Sequence, residues 1–207
     1  MMARKPKPSG RKLPDKGSLL ARRAIKTREL RPRFLIVCGG EKTEPNYFRS
    51  FRVNAVVEVK GTGRSPMGVV EYAQKIRCEE YTQVWVVFDR DDFDAEEFNR
   101  SIRQAGETGF RVAYSNEAFE LWYVLHFGYQ NTALSRRDYQ KILTEKLGKT
   151  YKKNDIHLYA DLLARQNEAI ANAQRLFEVH QPYHNPAADN PCTTVHLLVM
   201  ELNKYLQ

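Results

Sequence analysis

The chain has 207 residues, of which 42% are hydrophobic and 28% charged, and its formal net charge is +8. That length fits one globular domain with an appendage and is ample for a buried core. The longest apolar runs, 34–38 and 84–88, are far shorter than the roughly 20 residues that span a bilayer, and the N-terminal residues lack the pattern of a secretory leader. Three widely separated cysteines argue against a disulfide framework and a zinc finger. We therefore expect a soluble cytoplasmic protein.

The positive charge is concentrated in an N-terminal arm, residues 1–32. Residues 1–33 contain 12 Lys and Arg against two acidic residues, whereas the remaining 174 residues contain 21 basic and 23 acidic side chains. Because the arm has few apolar side chains, we expect it to be disordered to about residue 18, with 18–30 able to form a helix on a partner. A solvated tail explains this composition, and so does a salt-sensitive contact with a nucleic-acid backbone.

Strand and helix patterns alternate from residue 33 onward. The predicted strands are 34–38, 53–60, 84–88 and 110–114. The helical patterns that follow them are 44–51, 66–80, 94 to about 106, and 116–126. Thr43, Ser65 and Asp94 are side chains typical of a helix N-cap. Strands joined by single helices imply right-handed crossovers, so we predict an α/β core with four parallel strands over residues 33–128.

Only helical patterns follow residue 128. They cover 136–147, 158–179 and 194–206, with polar linkers between them. We predict that residues 129–207 form a helical extension packed on the core, in preference to an independent second domain.

Three aspartates follow the most strongly predicted strand. In an open parallel sheet, ligands bind beyond the carboxyl ends of the strands, which is where Asp89, Asp91 and Asp92 are expected. Such carboxylates repel one another unless a cation neutralises them or water solvates them, and Mg²⁺ and Mn²⁺ prefer oxygen ligands. We predict a Mg²⁺ or Mn²⁺ site held by Asp89 and Asp91, with Asp92 supporting it or capping the next helix. A solvated acidic loop is the alternative.

Glycines and cations follow the first two strands. Gly39 and Gly40 let backbone amides approach a bound anion, and the loop 60–64 is also basic and rich in glycine. Lys42, Lys60 and Arg64, together with Arg90 after the third strand, are candidate phosphate-binding residues. A tight strand-to-helix turn is the alternative at Gly39 and Gly40, and the 60–64 loop lacks the lysine and spacing of a P-loop.

Two more polar residues lie in the helix after the fourth strand. Glu120 is either a buried carboxylate beside the metal or an exposed helix acid. His126 is expected to be a hydrogen-bonded core histidine supporting the site, more than a metal ligand. His180 and His184 lie in a polar loop and are not expected to bind a metal.

Four ordered motifs resemble the RloB family. They are 38–48 (CGGEKTEPNYF), 87–92 (VFDRDD), 115–122 (SNEAFELW) followed by His126 and Phe127, and 190–196 (NPCTTVH). Members of that family are related to the Toprim fold and are often encoded beside restriction-modification or phage-defence ATPase genes. The resemblance implies a compact four-stranded parallel sheet, a divalent-metal site and phosphodiester chemistry like that of Toprim nucleases in phage defence.

The same resemblance assigns Asp89 and Asp91 to the acidic pair that holds the metal. It also reveals a departure, because the family normally has a glutamate immediately after the cysteine that ends strand one, and this chain has Gly39 there. Glu41 matches the next acid of the family's motif but lies two residues further on. Either Glu41, Glu44 or Glu120 substitutes for the missing glutamate, or the metal site is weakened.

Our leading hypothesis is therefore a Toprim-like, Mg²⁺- or Mn²⁺-dependent nuclease that acts on RNA, including tRNA, or on DNA in phage defence by abortive infection. Its catalytic residues would be Asp89, Asp91, Glu41 and Glu120. The main rival is a non-catalytic subunit that binds nucleic acid or an ATPase partner, and a more distant one is a receiver-type phosphotransfer domain. No membrane association is expected, and the sequence leaves homo-oligomerisation open.

Overall fold

A single five-stranded sheet organises the computed structural model, which describes residues 31–206. The strands are β1 (Arg33–Cys38), β2 (Val56–Gly61), β3 (Gln83–Asp89), β4 (Arg111–Asn116) and β5 (Cys192–Thr193). Their order across the sheet is β2-β1-β3-β4-β5, and the first four are parallel. The predicted α/β class and the parallel arrangement of β1 to β4 are confirmed. The predicted arm lies outside the described residues apart from its last two positions.

The strand count differs from the expected four, because β5 adds a short antiparallel edge to β4. Thr193 pairs with Ser115 and Cys192 pairs with Asn116. The Thr193 hydroxyl also donates to the carbonyl of Tyr114, at 3.0 Å. Two residues are too few to show a strand periodicity, and the hydrogen bonds that specify β5 come from a strand almost eighty residues earlier in the chain.

Eight helices accompany the sheet within the described residues. They are α1 (Thr43–Arg49), α2 (Pro66–Ile76), α3 (Ala95–Glu107), α4 (Glu120–Val124), α5 (Arg136–Leu147), α6 (Leu158–Leu163), α7 (Gln166–Val179) and α8 (Val195–Asn203). Ser65 caps α2 by accepting from the amide of Gly68, and Asp94 caps α3 by accepting from the amides of Glu96 and Glu97, as predicted. No helix in this part of the chain is both long and apolar enough to cross a membrane.

Predicted helix boundaries differ from those of the structure at several places. The helix expected over 116–126 is the shorter α4, because Asn116 is still the last residue of β4. Lys42 precedes α1 without a capping side-chain bond, and Thr43 is the first helical residue. The expected helix 158–179 is two helices, because Arg165 leaves the helical conformation at φ −108° and ψ 9°. Its guanidinium lies 5.5 Å from the ring centre of Phe127, a long-range contact that local periodicity does not report.

The two faces of the sheet bury separate hydrophobic clusters. Alternate residues of β1 point to opposite sides, so Phe34 and Ile36 enter one cluster while Leu35 and Val37 enter the other. Helices α2 and α3 cover the second cluster. Side chains from α1, α4, α5, α7 and α8 fill the first, so residues beyond 128 share a core with β1 and β3.

The three cysteines are free thiols in different environments. Cys38 ends β1 and Cys192 begins β5, and both are buried. Cys78 lies just beyond α2 and is exposed.

Candidate active site

A cavity of about 620 Å³ opens beyond the carboxyl ends of β1 and β3. The loop after β1, the loop after β2, the end of β3 and the start of α4 form most of its wall. The remainder comes from the start of α5 and from the α5–α6 loop, residues 148–157. Its acidic lining residues are Glu41, Glu44, Asp89, Asp91 and Glu120, and its basic ones are Lys42, Arg64, Arg136 and Lys153.

Three of those acids, Glu44, Asp89 and Glu120, form what we call the acid cluster. Glu44 lies in the first turn of α1 with 4% of its surface exposed, and its Oε1 accepts from the amide of Gly40 at 3.1 Å. Glu120 begins α4 and is 2% exposed. Asp89 is the last residue of β3, and its Oδ1 is covered from solvent without a hydrogen-bond partner in residues 31–206.

Electrostatic coupling joins the members of the acid cluster. Burial raises the pKa of Asp89 well above its ordinary value, and the negative charges of Glu44 and Glu120 raise it further, against smaller lowering effects of the Phe119 backbone and Arg136. Burial also raises the pKa of Glu44, and Glu120 adds to that shift. Ionising all three carboxylates is therefore unfavourable unless additional positive charge approaches them.

Some positive charge comes from the α5–α6 loop. The Nζ of Lys153 lies 3.6 Å from the Oε1 of Glu120. The hydroxyl of Tyr151 donates to the same Oε1 at 3.4 Å. Thus one carboxylate of the acid cluster has both a cation and a hydroxyl donor that come from outside the sheet and its connecting loops.

The acid cluster fits a hard divalent cation in its chemistry. Carboxylate oxygens are the ligands that Mg²⁺ and Mn²⁺ prefer, and in the described part of the chain nothing donates to the Oδ1 of Asp89 in the cavity wall. Within residues 31–206, however, no three carboxylate, imidazole or thiol groups already converge into a coordination shell. Glu44, Asp89 and Glu120 are the residues that could hold such a cation, with some movement of their side chains.

Asp91 has a different environment from Asp89. It adopts a left-handed conformation with φ 42°, and its amide donates to the carbonyl of Glu117 at 3.0 Å. Its carboxylate forms an ion pair with Arg136 at the start of α5. Asp91 thus lines the cavity with Asp89, as the sequence predicts, but its carboxylate is ion-paired with an arginine.

The other predicted acids lie at the margin. Glu41 is exposed at the mouth of the cavity, beside Gly63, where a Cβ would come within 2.9 Å of the Glu41 Oε1. Asp92 is exposed and lines a neighbouring pocket of about 370 Å³ together with Asp91, Arg136 and Arg137. Position alone therefore favours Glu41 over Asp92 as a participant at the cavity.

The four predicted phosphate-binding residues separate into two pairs. Lys42 and Arg64 line the cavity. Lys60 is ion-paired with Glu58 at 2.8 Å on β2, and Arg90 lies 6.0 Å from the ring centre of Phe98. Neither Lys60 nor Arg90 lines the cavity wall.

His126 is a core residue in this structure. It is fully buried, its Nδ1 donates to the carbonyl of Trp122 at 2.9 Å, and its ring packs 4.9 Å from the ring of Trp122. Burial lowers the pKa of His126 to about 4, so the imidazole is neutral near pH 7. It does not line the cavity, and any effect on the site passes through α4.

The sequence patterns did not single out Arg136, Tyr151 or Lys153. These residues follow β4 by 20 to 37 positions, and only the packing of the chain after residue 128 brings them to the cavity. Glu44 was one of three candidates to replace the missing glutamate, and its near-complete burial now distinguishes it from Glu41.

A comparison with protein-family models matches residues 34–202 to the RloB-like protein family. The chain belongs to the RloB-like family. The matched region contains every member of the acid cluster and all four cations that line the cavity. Searches of curated proteins and of solved structures gave no match.

Proposed function

We propose that this RloB-like protein is a Toprim-like nuclease that uses Mg²⁺ or Mn²⁺ to hydrolyse phosphodiester bonds in RNA or DNA. The observation that carries the proposal is Asp89. It ends a buried parallel strand, its Oδ1 has no partner in the described residues, and two buried glutamates raise its pKa. The approach of a cation stabilises the ionised form of a carboxyl group in that setting.

The acid cluster would hold the cation through Glu44, Asp89 and Glu120. When bound, such an ion polarises a phosphodiester and lowers the pKa of a coordinated water. Gly40 orients Glu44 through its amide, and Tyr151 orients Glu120 through its hydroxyl. These hydrogen bonds keep the carboxylates directed into the cavity while the surrounding core excludes bulk water.

The rim of the cavity would bind the substrate. Lys42, in the loop after β1, and Arg64, in the loop after β2, line the cavity and would contact phosphate oxygens there. Asp91 acts by fixing the guanidinium of Arg136 at the cavity. Glu41, exposed at the mouth, would exchange a proton between the cavity and solvent.

Cleavage assays test the proposal directly. We expect RNA or DNA cleavage by the purified protein with Mn²⁺, no cleavage with EDTA, and a loss of at least about a hundredfold in Asp89→Asn and Glu120→Gln. Asp92→Asn is the matched control and should keep wild-type cleavage. Full activity in Asp89→Asn, or activity insensitive to EDTA, contradicts the assignment.

A non-catalytic role in binding nucleic acid or an ATPase partner is the second candidate, and Gly39 favours it. The family's usual glutamate is missing there, so β1 ends without a carboxylate. A Cβ at Gly39 would lie 3.4 Å from the Cβ of Phe88 and 3.5 Å from the carbonyl of Arg64, ordinary separations that leave room for that atom. A strong gain of cleavage in Gly39→Glu supports a nuclease weakened at this position. No cleavage and no Mn²⁺ binding in either protein supports the binding role.

A further inference from the structure

The α5–α6 loop brings one cation and one hydroxyl to a single carboxylate of the acid cluster. Tyr151 is buried in the main hydrophobic cluster, which fixes its hydroxyl near Glu120. Two residues later, the Nζ of Lys153 is 3.6 Å from the Oε1 of Glu120, and its positive charge also acts on Glu44. Lys153 therefore contacts one of the three carboxylates that the proposed cation would use, and its charge acts on a second.

The loop keeps its shape through bonds that do not involve the acid cluster. Lys149 binds the carboxylates of Asp155 and Asp161 at 3.2 and 2.6 Å. The amide of Tyr151 donates to the Oγ1 of Thr144 at 3.1 Å, and Gly148 begins the loop in a left-handed turn with φ 65°. These bonds would persist if Lys153 moved away from Glu120.

The side chain of Lys153 is much more exposed to solvent than the carboxylate it contacts. It is 44% exposed, whereas the side chain of Glu120 is 3% exposed. Its distance of 3.6 Å from Glu120 is also too long for a strong hydrogen bond. The ammonium can therefore move into solvent without breaking a strong hydrogen bond, whereas Glu120 stays buried in the cavity wall.

We propose that Lys153 is a built-in counter-cation of the acid cluster, which offsets its charge in the cation-free protein and is displaced when a divalent cation binds. The inference rests on the proposed function, because it requires a cation site at Glu44, Asp89 and Glu120. It adds that the protein's own lysine competes for that site. The affinity for the divalent cation is consequently lower than the three carboxylates alone would give. In the metal-free protein, the lysine reduces the destabilisation that the acid cluster causes.

Mn²⁺ titration of the full-length protein tests the competition. Isothermal calorimetry at fixed ionic strength would compare wild type with Lys153→Met, which keeps the length of the side chain but removes its charge. Lys152→Met is the matched control, because Lys152 is an exposed neighbour on the same loop. We expect a Kd about tenfold lower in Lys153→Met and unchanged in Lys152→Met. Lys153→Arg should bind Mn²⁺ like wild type.

Thermal unfolding supplies a second measurement, independent of cleavage. In EDTA, Lys153→Met should melt below Lys152→Met, because the acid cluster is then without its counter-charge. With saturating Mn²⁺ this difference should shrink or reverse.

The outcomes separate the inference from the function on which it rests. If wild type binds Mn²⁺ and Lys153→Met binds it equally or more weakly, Lys153 is not a competing counter-cation. The proposed metal site is unaffected by that result. If Asp89→Asn binds Mn²⁺ as well as wild type, or no variant binds it, the metal site itself is overturned. A Lys153→Met protein that is more stable than Lys152→Met in EDTA also contradicts the inference.

Discussion

Asp89 shows how one residue can combine a cost in stability with a role in chemistry. Its carboxylate ends β3 among Glu44 and Glu120, and burial and those charges raise its pKa. A protein under selection for stability alone would be more stable with an amide there. The position is therefore where stability and the proposed activity should respond in opposite directions to the same substitution.

The raised pKa of Asp89 predicts how stability depends on pH. Between the ordinary value of 3.8 and the raised value, the folded protein holds a proton that the unfolded chain releases. Stability is therefore most favourable below the lower value and falls as pH rises through the raised one. In EDTA, Asp89→Asn should remove this fall and be more stable than wild type at about pH 8, by on the order of 1 kcal/mol.

Urea unfolding from about pH 5 to 8 measures that difference. Asp92→Asn, at an exposed acid three residues along, should follow the wild-type curve. Parallel curves for wild type and Asp89→Asn would show that the pKa of Asp89 is not raised in the folded state.

Adjacent glycines give a matched pair of substitutions. A Cβ at Gly40 would overlap the carboxylate of Glu44, so Gly40→Ala must displace that group. A Cβ at Gly39 would have no neighbouring atom closer than 3.4 Å. Since Glu44 is flexible at its far end, we expect Gly40→Ala to fold but to lose about tenfold in Mn²⁺ affinity and in cleavage.

Calorimetry and cleavage assays on Gly40→Ala and Gly39→Ala test this pair. Gly39→Ala should remain within about twofold of wild type. Equal effects of the two substitutions would mean that the position of Glu44 does not matter to the site.

At the level of elements, the loop before the short strand β5 is attached to β4 by hydrogen bonds. His184 connects Asp189, at 2.6 Å through its Nδ1, to the hydroxyl of Tyr114 through its Nε2. The amide of the Asn116 side chain binds the carbonyls of Pro186 and Ala187, each at 3.1 Å. Loop 180–191 is thereby attached to β4, one strand away from Asp89.

Removing His184 should weaken that attachment. His184→Ala leaves the Tyr114 hydroxyl and Asp189 without their shared partner, and we expect a loss of about 1–3 kcal/mol in the free energy of unfolding. Denaturant unfolding at neutral pH measures it. His157→Ala, at an exposed histidine before α6, should cost far less, and similar losses in both would contradict the bridging role.

Elements defined by local rules were predictable, and those defined by distant partners were not. The apolar runs of β1 and β3 and the caps at Ser65 and Asp94 depend on neighbouring residues in sequence, and the structure confirms them. β5 needs β4 as a partner, and Arg165, where the helix breaks, contacts the distant Phe127. Neither contact leaves a periodic trace in the sequence.

The same distinction applies to the candidate site. The position of Asp89 could be predicted because an acid at the carboxyl end of a buried parallel strand lies where such sheets bind ligands. The burial of Glu44 depends on the turn of the chain at Gly40, and Lys153 reaches the cavity only through the packing of the C-terminal helices. Sequence analysis could thus indicate that acidic residues gather at the carboxyl ends of the strands, but not which of them lie together.

For the molecule as a whole, the basic arm is the largest concentration of charge. Residues 1–30 contain 10 Lys and Arg and only two acidic residues. We predict that changing Arg4, Lys5, Lys7, Arg11 and Lys12 to glutamine weakens binding to RNA or DNA without regard to sequence. The dependence of log K on log salt should become shallower by roughly 0.7–0.9 for each phosphate that the arm no longer neutralises.

Fluorescence anisotropy at several salt concentrations measures that slope. A variant with five arginine-to-lysine and lysine-to-arginine exchanges at the same positions keeps the charge and should retain the wild-type slope. An unchanged slope in the glutamine variant would indicate that the arm is only a solvated tail.

The unequal exposure of the three thiols makes the unmodified chain suitable for site-selective labelling. Burial raises the pKa of Cys38 and takes that of Cys192 to about 11, so both are protected and slow to alkylate. Cys78 stands open just beyond the C-terminal end of α2, whose N-terminal end is the one that faces the cavity. A maleimide dye should therefore attach at one place, giving a fluorescent reporter without any engineered cysteine.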